Sequence, residues 1–160
     1  MLGVRLICVG KLGEKFWAQA VKEYEKRLGA YCKLEIIELP EERLPEDPSP
    51  AQIEAALSKE ADAVRAKLPN GCLVIAMCVE GRERSSEELA QLVGTWDQSS
   101  AKHLVFLIGG SYGLAERLKG ESWVKLSMSP MTFPHHLLRV MLLEQIYRAY
   151  QINAGSRYHK

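Results

Sequence analysis

The sequence predicts an α/β fold, a mostly parallel sheet with helices on both faces. Three observations carry that expectation. Short apolar runs alternate with segments of helical periodicity along the whole chain. One run, Cys72 to Val79, is apolar without interruption, as a parallel strand covered on both faces is. The chain has 160 residues, 47% of them hydrophobic, enough for a single domain over residues 1–160 that buries roughly two-thirds of its unfolded surface.

Val4 to Val9 reads as the first strand, stopped by Gly10, and Phe16, Trp17, Ala20, Val21, Tyr24 and Leu28 then recur at helical spacing up to Gly29. Leu34 to Leu39 is the second strand, closed by Pro40, and the acidic, proline-bearing stretch Glu41 to Pro50 is a surface loop. Ile53, Leu57, Val64 and Leu68 mark a second helix. Pro69-Asn70-Gly71 turns the chain into the third strand, expected to end at Glu80-Gly81-Arg82. Ser85, with Glu88 three residues on, is a capping box that opens a helix whose Leu89, Leu92, Val93 and Trp96 face inward. Leu104 to Ile108 is the fourth strand, Leu114 to Leu118 a short helix, Trp123 to Met128 the fifth strand, and the last helix runs from about Pro134 to Ile152.

Composition excludes several classes. With 26% charged residues and 21 Lys+Arg against 20 Asp+Glu, the totals fit neither a disordered chain nor a strongly basic nucleic-acid coat. No apolar stretch approaches the roughly 18 to 20 residues that span a bilayer, and no signal-peptide pattern opens the chain, so a soluble, cytoplasmic protein with no membrane partner is expected. The 4 cysteines form no C-x-x-C pair and read as buried free thiols. The histidines show no zinc spacing, and no metal is expected.

The charges are nonetheless segregated. Arg5, Lys11, Lys15, Lys22, Lys26, Arg27 and Lys33 oppose only Glu14, Glu23 and Glu25 near the start, the middle is acidic, and Arg139, Arg148, Arg157 and Lys160 oppose Glu144 at the end. The basic ends suit a polyanion, or are ordinary solvated faces.

Parallel sheets take ligands beyond the carboxyl ends of their strands, which directs attention to Val79 to Gly81, Gly109 to Gly113 and Met128 to Phe133. Gly109-Gly110-Ser111-Tyr112-Gly113 is either a glycine-rich ligand loop or a tight strand-to-helix turn. Its spacing is not G-x-G-x-x-G, and no G-x-x-x-x-G-K-[ST] occurs, which argues against a Rossmann cofactor or a P-loop nucleotide. Before the last helix, Pro134 suits the first turn, Thr132 suits a cap, and free N–H groups offer partial positive charge. His135 and His136 are RNA-contacting or supporting groups, or plain surface histidines.

The last helix is apolar around most of its circumference, so beyond the sheet it is expected to meet a second copy in a twofold dimer, or else to be wholly internal. Arg139 and Arg148 on such a helix are expected to line a site or pair across an interface. The tail Ala154 to Lys160 is short and polar, for which fraying is the default, yet its Tyr, Arg and His suit looped RNA.

Val9-Gly10-Lys11-Leu12, Tyr24-Glu25-Lys26-Arg27-Leu28, Ile108-Gly109-Gly110-x-x-Gly113-Leu114, Met131-Thr132-Phe133-Pro134-His135, Arg139-Val140, Glu144-Gln145-Ile146-Tyr147-Arg148-Ala149 and the Tyr158-His159-Lys160 terminus, in that order, resemble the RlmH family of bacterial 23S rRNA methyltransferases. The resemblance spans nearly the whole chain. It implies the SPOUT class, with a C-terminal trefoil knot and an obligate homodimer, and S-adenosyl-L-methionine as donor of a methyl group to N3 of a pseudouridine in a 23S rRNA hairpin loop. The substrate it implies is the assembled ribosome, with no DNA partner. Carried over by position, the cofactor site comprises Met77, Gly109, Met128, Ser129, Pro130, Met131, Thr132 and Phe133. Around Tyr112 and Met128-Ser129-Pro130 the family pattern is loose, so contacts there are expected mainly through backbone. Arg139, His135, Tyr158 and His159 are expected to hold the target nucleotide, with His159 as proton acceptor. The rival reading is a non-catalytic ribosome-binding module that keeps this shape without a cofactor.

Overall fold

In the computed structural model, which describes residues 1–160, five strands run parallel in one sheet. They are β1 (Gly3–Val9), β2 (Lys33–Leu39), β3 (Leu73–Glu83), β4 (His103–Ile108) and β5 (Val124–Ser127), ordered β2-β1-β4-β3-β5. The helices are α1 (Lys15–Leu28), α2 (Pro50–Arg65), α3 (Ser86–Asp97), α4 (Glu116–Glu121) and α5 (His135–Asn153). Strand and helix alternate as the sequence predicts.

Local chemistry fixes the helix starts. Ser85 and Glu88 exchange hydrogen bonds at 3.1 and 2.8 Å, satisfying two N–H groups that α3 leaves without partners. Ser49 and Gln52 do the same for α2, with Pro50 behind the cap. At α5 the expected Thr132 cap is absent: Pro134 takes the N-cap position, one residue ahead of the first turn, and no side chain caps it.

The sheet carries a core on each face. Along β4, buried from Leu104 onward, Leu104, Phe106 and Ile108 join the cluster under α1, α3 and α5, while Val105 and Leu107 join the one under α2 and α4. This is the alternation that successive strand residues impose. Each such buried side chain contributes about 1.5 to 3 kcal/mol. The crossovers from β1 to β2 and from β3 to β4 travel one way along the sheet, over α1 and α3 on one face. Those from β2 to β3 and from β4 to β5 travel the other way, over α2 and α4 on the opposite face, as a single crossover hand requires. Strands β3 and β4 therefore send their chains to opposite faces, which opens a crevice beyond their carboxyl ends.

Two sequence expectations are corrected here. Strand β3 does not end at Glu80-Gly81-Arg82 but runs to Glu83. Both Met77 and Arg82 pair with Leu126, so the residues between them bulge out of register. Nor is the whole run Cys72 to Val79 covered on both faces: Ile75, Ala76 and Met77 are buried, whereas Val79 is 53% exposed. Helix α5 is apolar almost all round because α1 and α3 flank it while the sheet lies beneath it. Its outer side, along Leu137, Met141, Glu144 and Arg148, is half-buried, as are most of the other α5 residues that the core does not bury, Val140, Tyr147 and Tyr150 among them.

Candidate functional site

A cavity of about 530 Å³ lies beyond the carboxyl ends of β4 and β5 and beside the bulge of β3. Three segments wall it: the β3 bulge from Met77 to Glu80, the glycine turn from Ile108 to Leu114, and the loop from Ser127 to His135, with Leu138 of α5 below. Two of these are strand ends that the sequence picks out; the third overlaps the expected Val79 to Gly81 but is a bulge inside β3, whose end lies at Glu83. Of the carried-over residues, Met77, Gly109, Met128, Ser129, Met131, Thr132 and Phe133 line the cavity; Pro130 is exposed and does not.

The glycine turn is closed by an N–H of Gly113 donating to the Gly110 carbonyl at 3.0 Å. Gly113 has φ +79°, which favours glycine, and a Cβ on Gly109 would lie 2.4 Å from the Gly113 backbone. The turn therefore presents bare backbone to the cavity. The facing loop holds itself in shape: Ser127 donates to the Ser129 carbonyl at 3.0 Å, and the Ser129 hydroxyl accepts the Met131 N–H at 3.0 Å. The loop thus has main-chain groups and the Thr132 hydroxyl, which no other group engages, to offer a ligand.

His135 lines the cavity at the start of α5 with its Nδ1 buried and unpartnered. Burial, reinforced by His136 and only partly offset by Glu41, holds the imidazole below its ordinary range, so it is neutral at pH 7. Two charged groups that the sequence did not single out also belong here. Glu41 reaches from the segment after β2 to accept the Ser111 N–H at 2.6 Å. Lys119 lies in the wall between Glu80 and Glu116, and although burial opposes its charge, those carboxylates raise its pKa. Glu41 acts across folds of the chain, as does the Lys119 pair with Glu80, so the sequence marks neither; the Lys119 pair with Glu116, three residues back on α4, reads there as an ordinary surface pair.

Four residues expected at a site or an interface stand elsewhere. Arg139 is 1% exposed, and it donates to Glu38 at 2.6 Å and to the Gly10 carbonyl at 3.3 Å. It braces α5 against the ends of β1 and β2 instead of lining the cavity, because a guanidinium buried in the core must be paired. Arg148 likewise pairs within its own chain, with Glu144 at 2.7 Å. The tail does not fray. Tyr158 donates to Glu144 at 2.7 Å, and its ring lies 4.8 Å beneath the Arg148 guanidinium. His159 has Nε2 2.7 Å from Glu87 and Nδ1 3.1 Å from Arg148. Both its ring nitrogens are thus engaged. Neither Tyr158 nor His159 lines the cavity.

The arrangement suits a small ligand with a polar edge and an apolar body, held by backbone and rimmed by one neutral imidazole. Residues 2–159 match the family described as "Predicted SPOUT methyltransferase". The chain is 46% identical over 159 residues to a ribosomal RNA large subunit methyltransferase H of Clostridium novyi (strain NT), covering 99% of this chain and 100% of that one. It is 43% identical, with the same coverage, to the protein of that name from Ligilactobacillus salivarius (strain UCC118). Among solved structures it resembles a probable methylase family protein from Haemophilus influenzae Rd KW20, with TM-score 0.55 at 13% identity, covering 98% of this chain and 70% of that one. The last comparison bears on fold alone.

Proposed function

We propose that this chain, which belongs to the SPOUT methyltransferase family and within it to the ribosomal RNA large subunit methyltransferase H proteins, transfers a methyl group from S-adenosyl-L-methionine to N3 of a pseudouridine in 23S rRNA. It is a methyltransferase of large-subunit rRNA; the donor, the base and the assembled ribosome as substrate are the finer part of the proposal. The observation that carries it is the convergence of the Gly109 to Gly113 turn and the Ser127 to His135 loop on one cavity.

The residues present fit the donor. A volume of about 530 Å³ is within the usual range for small-molecule sites. The missing Cβ at Gly109 lets the turn close against Gly113, a Cβ at Gly113 would face open space, and Met77 and Phe133 supply apolar contact. When bound, S-adenosyl-L-methionine supplies an electrophilic methyl group for in-line displacement. The loops position the reacting atoms, and a basic group removes the N3 proton. His135, neutral at the rim beside the uncapped N-terminus of α5, holds the target nucleotide.

His159 is the proposed proton acceptor: it acts from a second copy, and it accepts at Nδ1 after that nitrogen has let go of the Arg148 guanidinium. In its own chain the tail is packed on Glu144 and Arg148, about 13 to 20 Å along α5 from His135 at 1.5 Å per residue. A twofold pair with antiparallel α5 helices brings the tail of one copy toward the cavity of the other, and the half-buried strip Leu137 to Arg148 supports such a pairing. The C-terminal trefoil knot belongs to the same proposal.

The test is transfer of labelled methyl from S-adenosyl-L-methionine to purified ribosomes, followed by mass spectrometry of the nucleosides. Label on pseudouridine of 23S rRNA is expected. Label on another nucleoside, or none, contradicts the proposal.

A further inference from the structure

We infer that Phe16, Trp17 and the lysine strip of α1 form a surface that grips loop RNA beside the target nucleotide. The inference rests on the rRNA substrate proposed above. Phe16 is 58% exposed on the first turn of α1, an apolar ring facing solvent. Its centroid lies 4.8 Å from that of Trp17, which stacks on His136 at 6.4 Å and 16°. His136 in turn lies 3.9 Å from His135, which lines the cavity. A row of four rings thus leads from open solvent to the cavity wall. The His136 Nε2 hydrogen bond to the Lys11 carbonyl, at 2.8 Å, fixes the outer histidine in that row.

Charge lies beside the rings. At about 100° per residue, Lys15, Lys22 and Lys26 fall within about 40° of one another on the exposed face of α1, a strip about 16 Å long. Exposed Lys11 adds a fourth ammonium near its start. None of these four is in an ion pair. On the Phe16 side of the strip, Glu23 is taken by Arg27 at 3.0 Å, and Glu14 and Glu25 fall on the opposite flank.

Rings that stack on bases, next to unpaired ammonium groups that meet phosphates, are the equipment of single-stranded RNA binding. A second copy suits this surface poorly, since twofold pairing of one patch with itself sets lysines against lysines. The occupant is therefore unpaired rRNA flanking the target, with its phosphates along the strip and a base on Phe16.

Kinetics with intact ribosomes test the inference. Phe16→Ala should raise the apparent KM for ribosomes by about fivefold to a hundredfold, the usual range for loss of one stacked base. S-adenosyl-L-methionine affinity by calorimetry and the sedimentation coefficient should not change. Phe16→Tyr should restore most of the loss, because any aromatic face stacks, and Lys15→Gln with Lys22→Gln should raise KM and flatten its salt dependence. An unaltered KM in Phe16→Ala overturns the inference, as does failure of Phe16→Tyr to rescue. Dissociation of the variant into monomers also overturns it, by making the patch a self-contact. Wild-type protein inert on ribosomes contradicts the proposed function itself, whereas active wild type with an indifferent Phe16→Ala contradicts only this inference.

Discussion

Arg139, 1% exposed on α5, donates to Glu38 of β2 at 2.6 Å, so a helix that starts at the cavity is pinned to the edge strand β2 by an ion pair whose cation is buried. Burial alone would raise the Glu38 carboxyl, but hydrogen bonds from Arg139 and the Leu12 N–H prevail and hold it below its usual range. Removing the carboxylate leaves a guanidinium stranded in the core. Glu38→Ala should cost about 3 kcal/mol, the lower end for a broken buried pair because Glu38 is partly exposed. Urea unfolding measures this, and Glu38→Leu with Arg139→Met should recover most of it.

His135 gives a pH signature. Its folded pKa is lowered, so between the ordinary value near 6.5 and that lower value the unfolded chain binds the proton first. Its contribution is neutral above about pH 6.5 and becomes increasingly destabilising as pH falls through that window. Thermal unfolding should show a downward slope in Tm below about pH 6.5 that His135→Asn makes shallower, and NMR titration should place His135 below the ordinary histidine range.

The glycine turn separates backbone strain from crowding. Gly113→Ala should cost about 1 to 2 kcal/mol, the penalty for an L side chain at positive φ, and Gly113→Asn should cost less. Gly109→Ala should abolish measurable S-adenosyl-L-methionine binding in calorimetry, because its Cβ would lie 2.4 Å from the Gly113 backbone and force the turn open. Wild-type affinity in Gly109→Ala would show that the turn does not shape the donor site.

At the other end of α5, His159→Ala should lower methylation by about 10²-fold or more, the scale of general-base loss, while sparing donor affinity. Its hydrogen bond to exposed Glu87 is at the surface, so folding stability should change by less than about 1 kcal/mol. Unchanged turnover would rule out the acceptor role.

Much of this was legible in the sequence. The alternation of runs gives the sheet and its helices, and two strand ends named from residue types, Gly109 to Gly113 and Met128 to Phe133, supply walls of the cavity, while the third wall is a bulge inside β3 that only overlaps the expected Val79 to Gly81. The Ser49-Gln52 box follows the same rule as Ser85-Glu88 and was equally available. The rest depended on contacts distant in sequence. Glu80-Gly81-Arg82 looks like the end of a strand because the residues beyond the bulge face solvent and so carry polar side chains. Arg139 looks like a site residue because its partner, Glu38, is 101 positions away. Glu41, in what reads as an acidic loop, shows its purpose only once Ser111, 70 positions on, is folded against it. The tail's docking depends in the same way on Glu87 and Glu144.

The most direct single measurement is a crystal structure of the protein soaked with S-adenosyl-L-methionine. Density for the donor between the Gly109 to Gly113 turn and Phe133, with the methyl-bearing sulfur open toward His135, is the predicted result. A donor bound elsewhere, or an empty cavity at saturating concentration, would contradict it.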